Sequence, residues 1–256
     1  MAERITPGTY EWDLLHVEHA QRYEFFAPLC QGRRVLDAAC GTGFGSDILW
    51  RHGAASVVGI DYSEEALAYA REHFANNTPL TFRRGDCEAL EALGEKFDTV
   101  ISFETIEHIR HPERLIEGAK KVLNPGGRFI CSTPNILRHS LSPDSTFVNE
   151  YHLSEMHYAD FEALMSRHFR IESRYMQNES PAYLRHCDLA NTVLTLQNSK
   201  VWRWETALRK MLGKKMAAPP MLNGHLLRSI PGDYTITPLE APFTQQKTFI
   251  LVGEAE

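Results

Sequence analysis

Short apolar runs alternate with amphipathic stretches through the first half of the chain. The runs are rich in Val, Ile, Leu and Phe, which favours buried strands, and the stretches between them repeat apolar residues at helical spacing. The predicted strands are Val35–Leu36, Val57–Ile60, Leu80–Arg83, Phe97–Phe103 and Arg128–Ser132. The predicted helices are Ser46–His52, Glu64–Phe74, Glu88–Leu93 and Pro112–Leu123. This alternation predicts an α/β fold with a parallel, doubly wound sheet.

Segments outside this region complete the predicted organisation. Glu11–Cys30 has the spacing of one or two amphipathic helices, and Lys247–Gly253 is a clear final strand. Ile136–Ala159 is polar and too long for a simple connector, which favours a functional loop. We therefore predict one domain over residues 1–256. Its parts are a helical cap (1–33), a core (34–180), a helical insertion (181–232) and closing strands (233–256).

A glycine-rich turn follows the first predicted strand. Gly41, Gly43 and Gly45 have the pattern G-x-G-x-G, with Asp37 before them and Asp61 at the end of the next strand. Glycines allow a ligand to approach the backbone closely, and a helix that begins there offers free N–H groups to it. An acid at the end of the second strand can accept hydrogen bonds from ribose hydroxyls. The unit predicts a nucleotide site at the carboxyl ends of the strands.

The stretch D-x-x-C-G-x-G, Asp37 to Gly43, resembles the first motif of class I S-adenosylmethionine (SAM) dependent methyltransferases. The resemblance implies a Rossmann-like, mostly parallel seven-stranded sheet with an antiparallel last strand. It also implies that Asp37 binds the methionine end of SAM, Asp61 the ribose, Tyr62 the adenine ring and Asp86 the adenine amine. The complete implied cofactor set is Asp37, Ala38, Gly41, Gly43, Asp61, Tyr62, Asp86, Cys87 and Phe103. For Asp86, a purely local role in a turn is the alternative.

The N-terminal helical region offers candidates for a lid, because a leading helix often lies across the cofactor site in proteins similar to this one. The candidate lid residues are Tyr10, Trp12, His19, Arg22 and Tyr23. An ordinary packing role for each of these side chains is an equal alternative.

The segment F-E-T-I-E-H-I after the fourth predicted strand places two carboxylates and an imidazole together. Glu104, Glu107 and His108 lie at the strand end that faces the ligand crevice of a doubly wound sheet. One hypothesis makes His108 a general base beside the methyl donor, because imidazole exchanges protons near neutral pH. The other makes the segment a loop that shapes the cofactor site.

Two further resemblances concern the acceptor. E-x-x-E-H, T-P-N and H-x-x-E, the last being His152 and Glu155, resemble the metal site of RNA 3′-terminal 2′-O-methyltransferases. This likeness implies Glu104, Glu107, His108 and His152 as candidate ligands of Mn²⁺ or a similar ion. The same strings, with E-R-I-T-P-G and E-H-x-x-R-Y near the start, resemble bacterial methyltransferases that modify sugars and cell-surface polysaccharides. The second likeness extends over most of the first ~180 residues, about the size of one domain.

Composition limits the classes of partner and the cellular location that the sequence predicts. The chain has 256 residues, a formal charge of −6 and a hydrophobic content of 43%, which predict a packed core and argue against nucleic acid as a partner. Its five cysteines are widely spaced without a CxxC pair, so neither a disulfide framework nor a cysteine zinc site is predicted. We find no signal segment and no run long enough to span a membrane, which predicts a cytoplasmic protein. The oligomeric state is left open.

These observations favour an enzyme, an O-methyltransferase that uses SAM to modify a sugar or glycan hydroxyl. Glu104, Glu107, His108 and His152 are its candidate catalytic residues. A metal-dependent 2′-O-methyltransferase of RNA ends and a small-molecule methyltransferase of a natural-product or quinone pathway are the enzymatic alternatives. A non-catalytic SAM-binding partner protein is the third class of hypothesis.

Overall fold

The computed structural model describes residues 7, 10–75, 79–136, 152–180, 234–239 and 248–255. The predicted helical insertion lies outside the described residues, as do most of the polar loop after the fifth strand and the side chain of Tyr10. The division of the chain at residues 33, 180 and 232 therefore stays a prediction.

Eight strands and five α-helices make up the regular structure of the described residues. The strands are β1 (Arg34–Ala38), β2 (Ser56–Asp61), β3 (Leu80–Arg84), β4 (Phe97–Ser102), β5 (Leu123–Pro134), β6 (Arg170–Glu179), β7 (Tyr234–Pro238) and β8 (Thr248–Glu254). The helices are α1 (Tyr10–Cys30), α2 (Phe44–Arg51), α3 (Glu64–Phe74), α4 (Pro112–Val122) and α5 (Tyr158–Ser166). Two 3-10 helices, Cys87–Leu93 and Ile106–His108, flank β4.

The strands form one sheet in the order β3-β2-β1-β4-β5-β8-β6-β7. Strands β1 to β5 are parallel, and the last strand, β8, is antiparallel to both of its neighbours, β5 and β6. The predicted doubly wound, Rossmann-like sheet with an antiparallel last strand is confirmed. The sheet has eight strands rather than the predicted seven, because Tyr234–Pro238 adds an antiparallel strand at the edge of β6.

The hydrophobic core lies on both faces of the sheet. Alternate strand residues point to opposite faces, so neighbours such as Val35 and Leu36 belong to different clusters. Val35 packs on the face covered by α1, α2 and α3, and Leu36 on the face covered by α4 and α5. The C-terminal strand β8 is buried on both faces, with Phe249 on one and Ile250 on the other.

The helix ends follow local sequence signals. Ser63 caps α3, and its Oγ accepts a hydrogen bond from the Ala66 N–H at 3.3 Å, where Glu64 and Glu65 occupy the first turn. The predicted Glu88–Leu93 helix is a 3-10 helix over Cys87–Leu93, and the N-terminal region forms the single helix α1. Among the described residues, no helix combines the length and the apolar character that crossing a membrane requires.

Candidate functional site

The glycines of the turn after β1 perform different tasks. Gly41 has a φ of +54°, and a Cβ built on it meets no atom within 4 Å, so its surface is open. Gly43 has a φ of +83°, but a Cβ there would lie 2.7 Å from Ala70 Cβ and 2.8 Å from the Phe82 ring. At Gly45 an added Cβ would lie 2.2 Å from the ring of Tyr23. Only Gly41 therefore has space for a ligand, whereas the other two glycines permit close packing within the protein.

Asp37, at the end of β1, is completely buried and holds two hydroxyl groups. Its Oδ1 accepts a hydrogen bond from Tyr23 Oη at 3.0 Å, and its Oδ2 accepts one from Ser46 Oγ at 2.5 Å. Burial raises the pKa of Asp37 from 3.8 to about 6, although the two hydroxyl groups oppose this shift; the charge of Asp61 adds to it. A cation bound nearby, such as an ammonium group, would favour the ionised carboxylate.

Asp61 closes the turn from the end of β2. Its Oδ2 accepts from the Gly41 N–H at 2.9 Å, and its Oδ1 accepts from the Ser63 N–H at 2.8 Å. These bonds join the glycine turn to the start of α3. The half-buried carboxylate thus lies beside Gly41, the one open glycine of the turn.

The residues predicted to contact adenine lie along the next strand ends. Tyr62 is 70% exposed, and the Arg84 guanidinium lies 5.0 Å from its ring centroid. Asp86 is exposed, and its Oδ1 accepts from the Glu88 N–H at 2.8 Å, which caps the first 3-10 helix. This bond gives Asp86 a local role in the turn, and its contact with the adenine amine stays a prediction. Burial raises the pKa of the Cys87 thiol to about 12, so this cysteine stays a thiol.

Strand β4 brings the second motif next to the glycine turn. Ser102 Oγ donates to the Ala38 carbonyl at 3.1 Å and so joins the carboxyl ends of β4 and β1. Phe103 is buried, with its ring 5.0 Å from that of Tyr23. Because neighbouring parallel strands end at the same edge, residues 104–108 lie on the side of the sheet that carries Gly41 and Asp37.

Helix α1 packs against this edge through the candidate lid residues. The Trp12 ring lies 5.3 Å from the Phe44 ring at the start of α2 and stacks on His16. Tyr23 contacts Asp37, and Arg22 is completely buried. His19 is half-buried on the same helix.

Glu107, His108 and His152 converge at the end of β4. The Glu107 backbone carbonyl accepts from the Leu153 and Ser154 N–H groups at 2.7 and 3.0 Å, which holds the loop that contains His152 against the second 3-10 helix. The His108 and His152 rings lie 4.9 Å apart, and His108 Nε2 lies 3.8 Å from Glu107 Oε1. His152 Nδ1 is hydrogen-bonded to Glu155. Ligand atoms of the three residues lie within 4.8 Å of one another, close enough for one metal ion.

Glu107 itself is 1% exposed, and its Oε2 is buried without a hydrogen-bond partner among the described residues. Burial raises the pKa of Glu107 well above the usual value, and the charge of Glu104 raises it further. An orphaned buried carboxylate oxygen costs free energy unless a proton, a cation or a ligand satisfies it. This oxygen of the cluster can therefore bind a proton, a cation or a hydrogen-bond donor of a ligand.

Glu104, the fourth predicted ligand, points elsewhere. Its Oε1 accepts from Ser132 Oγ at 2.7 Å, and its Oε2 lies 3.7 Å from Arg22 Nη2. The described cluster of possible metal ligands does not include it. The structure thus brings three of the four predicted residues together and places Glu104 next to them, between β5 and α1.

Sequence reasoning missed the two partners that arrange these carboxylates. Ser46 binds Asp37, and Ser132 binds Glu104. Ser132 precedes Thr133 in the S-T-P-N string at the end of β5, so its position beside the second motif follows from strand order. Nothing in the local sequence distinguishes Ser46 from an ordinary helix residue.

Comparison with known proteins identifies the family of the chain. A family model described as "Methyltransferase domain" matches residues 29–205. A Mycolicibacterium smegmatis protein named "Probable S-adenosylmethionine-dependent methyltransferase" is 33% identical over 171 residues, 66% of this chain and 65% of that protein. A "Ubiquinone biosynthesis O-methyltransferase" of Dinoroseobacter shibae is 40% identical over 106 residues, 41% of this chain and 42% of that protein. The chain thus matches less than two thirds of the length of each relative.

Solved structures share the fold. A SAM-dependent methyltransferase from Thermotoga maritima superposes with a TM-score of 0.60 at 15% identity, covering 96% of this chain and 95% of that one. Magnesium protoporphyrin IX methyltransferase from Synechocystis with bound SAH superposes with a TM-score of 0.54 at 24% identity, covering 67% of this chain and 82% of that one. At these identities the likeness concerns the fold alone.

Proposed function

The chain belongs to the methyltransferase-domain family of class I, SAM-dependent enzymes, and from that premise we propose that it transfers a methyl group to a hydroxyl oxygen. The observation that supports a hydroxyl acceptor most directly is the imidazole pair His108 and His152 at the end of β4. The relatives named as O-methyltransferases favour the same acceptor atom. The sugar or glycan acceptor and the cytoplasmic location rest on the sequence and belong to this proposal.

The residues of the glycine turn fit SAM. Open space faces Gly41, the carboxylate of Asp61 borders it, and buried Asp37 gains stability from a cation. We infer that Asp37 favours the cationic methionine end, that Asp61 accepts from the ribose and that Tyr62 and Asp86 border the adenine. The proposed set of cofactor-binding residues also includes Ala38, Gly43, Cys87 and Phe103. Bound SAM supplies an electrophilic methyl group.

The imidazole pair can remove the proton that a hydroxyl must lose as it is methylated. With Nδ1–H of His152 donated to Glu155, the neutral ring carries its lone pair on Nε2, and that nitrogen would take the proton. The carboxylate orients the ring and stabilises the imidazolium that forms. His108, 4.9 Å away, lines the same space and can bind the acceptor or share the proton.

The test replaces each imidazole and follows methyl transfer from labelled SAM to an acceptor panel. The panel contains a methyl glycoside, 3,4-dihydroxybenzoate and a short single-stranded RNA, which represent the three acceptor classes. We expect His152→Ala to lower kcat by about 10²–10⁴-fold, the usual contribution of a general base, with unchanged SAM affinity by calorimetry. His168→Ala, at the far end of α5, is the matched control and should retain parental kcat. Imidazole variants as fast as the parent would contradict the proposal.

Binding of a divalent metal is the second candidate role of the cluster. Glu107, His108 and His152 have ligand atoms close enough together, and Glu107 Oε2 lacks a partner within the part of the chain that the structure describes. These donors would suit Mn²⁺ or a similar ion, which would lower the pKa of a bound hydroxyl. Loss of activity in a chelator and recovery on addition of Mn²⁺ would support the metal. Activity that a chelator leaves unchanged would support the imidazole base alone.

A further inference from the structure

Among the described side chains of helix α1, Arg22 is the charged one with no exposed surface. Arg22 is completely buried, and a buried guanidinium requires carboxylates and hydrogen-bond acceptors around it. Its Nη2 donates to Glu18 Oε1 at 2.5 Å, and its Nε donates to Gln177 Oε1 at 2.5 Å. Glu18 is 2% exposed and already balances the charge of Arg22. Neutralisation of the Arg22 charge therefore does not require Glu104, whose Oε2 lies 3.7 Å from Arg22 Nη2.

The guanidinium is held in a defined orientation. The Gln177 amide nitrogen donates to the Glu18 carbonyl at 3.0 Å and to Gln21 Oε1 at 2.7 Å, so the amide oxygen of Gln177 has to face Arg22. Two acceptors on different atoms then fix the plane of the Arg22 side chain. Its Nη1 is buried with no partner among the described residues, which leaves Arg22 one further donor at this site.

Glu104 is constrained by its backbone conformation and by Ser132. Its φ is +48°, a left-handed conformation that is unfavourable for a residue with a Cβ. Ser132 Oγ accepts from the Glu104 N–H at 3.0 Å and donates to its carboxylate at 2.7 Å. Strained backbone with several restraining contacts is characteristic of functional sites. The side chain is 16% exposed, so part of it is accessible at the end of β4.

We propose that Arg22 is a positioning residue: it fixes the carboxylate of Glu104 where that group accepts a hydrogen bond from the acceptor molecule, so that α1 completes the acceptor end of the site. This inference rests on the proposed function, because it assigns Glu104 to the acceptor. An alternative role for Arg22 is purely structural, as a link between α1 and β6 through Gln177.

Arg22→Lys separates the two roles, because lysine keeps the positive charge beside buried Glu18 but lacks the fork that reaches Gln177 and Glu104 together. We expect kcat for the acceptor that the parent methylates to fall by about tenfold to a hundredfold, a typical effect of a misplaced site group. The SAM affinity should stay within about twofold of the parent, since Arg22 does not contact the glycine turn. Arg22→Met should show the same pattern with a lower unfolding midpoint.

Phe25→Ala is the matched control on α1. The Phe25 ring lies 5.3 Å from the Tyr175 ring of β6, so this variant removes packing between α1 and β6 and leaves the partners of Arg22 in place. It should unfold at lower urea concentration and keep the parental kcat. A Phe25→Ala variant that loses as much kcat as Arg22→Lys, or an Arg22→Lys variant as fast as the parent, would overturn the proposal.

A urea-unfolding cycle of Arg22→Lys, Glu104→Gln and the double variant needs no acceptor. We expect the double variant to lose less in unfolding midpoint than the sum of the single variants, since the residues interact directly. Additive losses would overturn the proposal. A parent that methylates none of the panel would refute the proposed function, and with it the role of Glu104, even where the cycle shows coupling.

Discussion

At the scale of single residues, Asp37 combines complete burial with a proposed role at the cofactor site. Its pKa of about 6 lies above that of an unfolded aspartate, so the folded protein binds a proton more tightly there. The contribution of Asp37 to stability is therefore favourable at low pH and declines as the pH rises from about 4 to 6. Above pH 6 the ionised carboxylate destabilises the folded protein by a constant amount of about 3 kcal/mol.

Asp37→Asn removes this destabilisation together with the charge. We expect the free energy of unfolding of the variant, relative to the parent, to improve by about 3 kcal/mol between pH 4 and pH 7 in urea titrations. The SAM affinity of the variant should be lower at pH 8, because the amide does not attract an ammonium group. A stability difference that does not vary with pH would show that Asp37 is ionised at no net cost in the folded protein.

Gly41 offers a residue-scale test of the cofactor site, and Gly43 does not. A side chain at Gly43 would collide with Ala70 and Phe82, so a valine there would disturb folding whether or not SAM binds. The methyl group of Gly41→Ala would meet no protein atom within 4 Å. The left-handed φ at this position should lower the stability of the variant by about 1–2 kcal/mol. We expect its SAM affinity by calorimetry to fall by more than about tenfold, or about 1.4 kcal/mol.

Gly32→Ala is the control for Gly41→Ala. Gly32 has a φ of +68° and equally open surroundings, but lies in the turn between α1 and β1 at the other end of the strand. It should lose similar stability and bind SAM like the parent. Equal SAM affinities in the two variants would show that the cofactor does not bind at Gly41.

At the scale of elements, a hydroxyl group of α1 is hydrogen-bonded to Asp37, the acid before the glycine turn. Tyr23→Phe removes the bond to Asp37 while the ring still packs on Gly45. A hydrogen bond to a charged group contributes about 1.5–3 kcal/mol, and one to a neutral group about 1 kcal/mol. We therefore expect a larger loss of unfolding free energy at pH 8, where Asp37 is ionised, than at pH 5.

Tyr69→Phe on α3 is the control for this element, since the Tyr69 ring stacks on His73 near the surface. Its unfolding free energy should change by less than about 0.5 kcal/mol at both pH values. A loss in Tyr23→Phe that is the same at pH 5 and pH 8 would argue against an ionised partner for Tyr23.

At the scale of the whole molecule, the last strand, β8, lies in the interior of the sheet. β8 lies between β5 and β6, so the sheet remains divided until the C-terminal residues are in place. Phe249 is fully buried there, with its ring 5.0 Å from that of Tyr158 on α5. We expect Phe249→Ala to lose about 3–5 kcal/mol of unfolding free energy in urea. Phe25→Ala, which truncates a ring that is 42% exposed, should lose clearly less; equal losses would mean that β8 is not part of the cooperative core.

The sequence by itself determined the α/β class, the order of the elements and the place of the site. Period and composition mark strands and helices locally, and the topology of a doubly wound sheet then sets which strand ends meet. Asp37, Asp61 and residues 104–108 could therefore be assigned to one edge before any coordinates were considered. The predicted bounds of α3, Glu64–Phe74, match the structure because Ser63 and the acids after it act within one turn.

Only the tertiary structure decided what each of these groups contacts. Gly41 and Gly43 are equivalent in the motif, yet one faces open space and the other faces Ala70 and Phe82, which come from α3 and β3. Glu104 and Glu107 are three residues apart, yet the first turns to Ser132 and Arg22 and the second to the imidazole pair. The reason is physical: side-chain direction after β4 depends on a left-handed φ at Glu104 and on partners from α1 and β5. Such contacts join residues far apart in the chain, and no local pattern of residues encodes them.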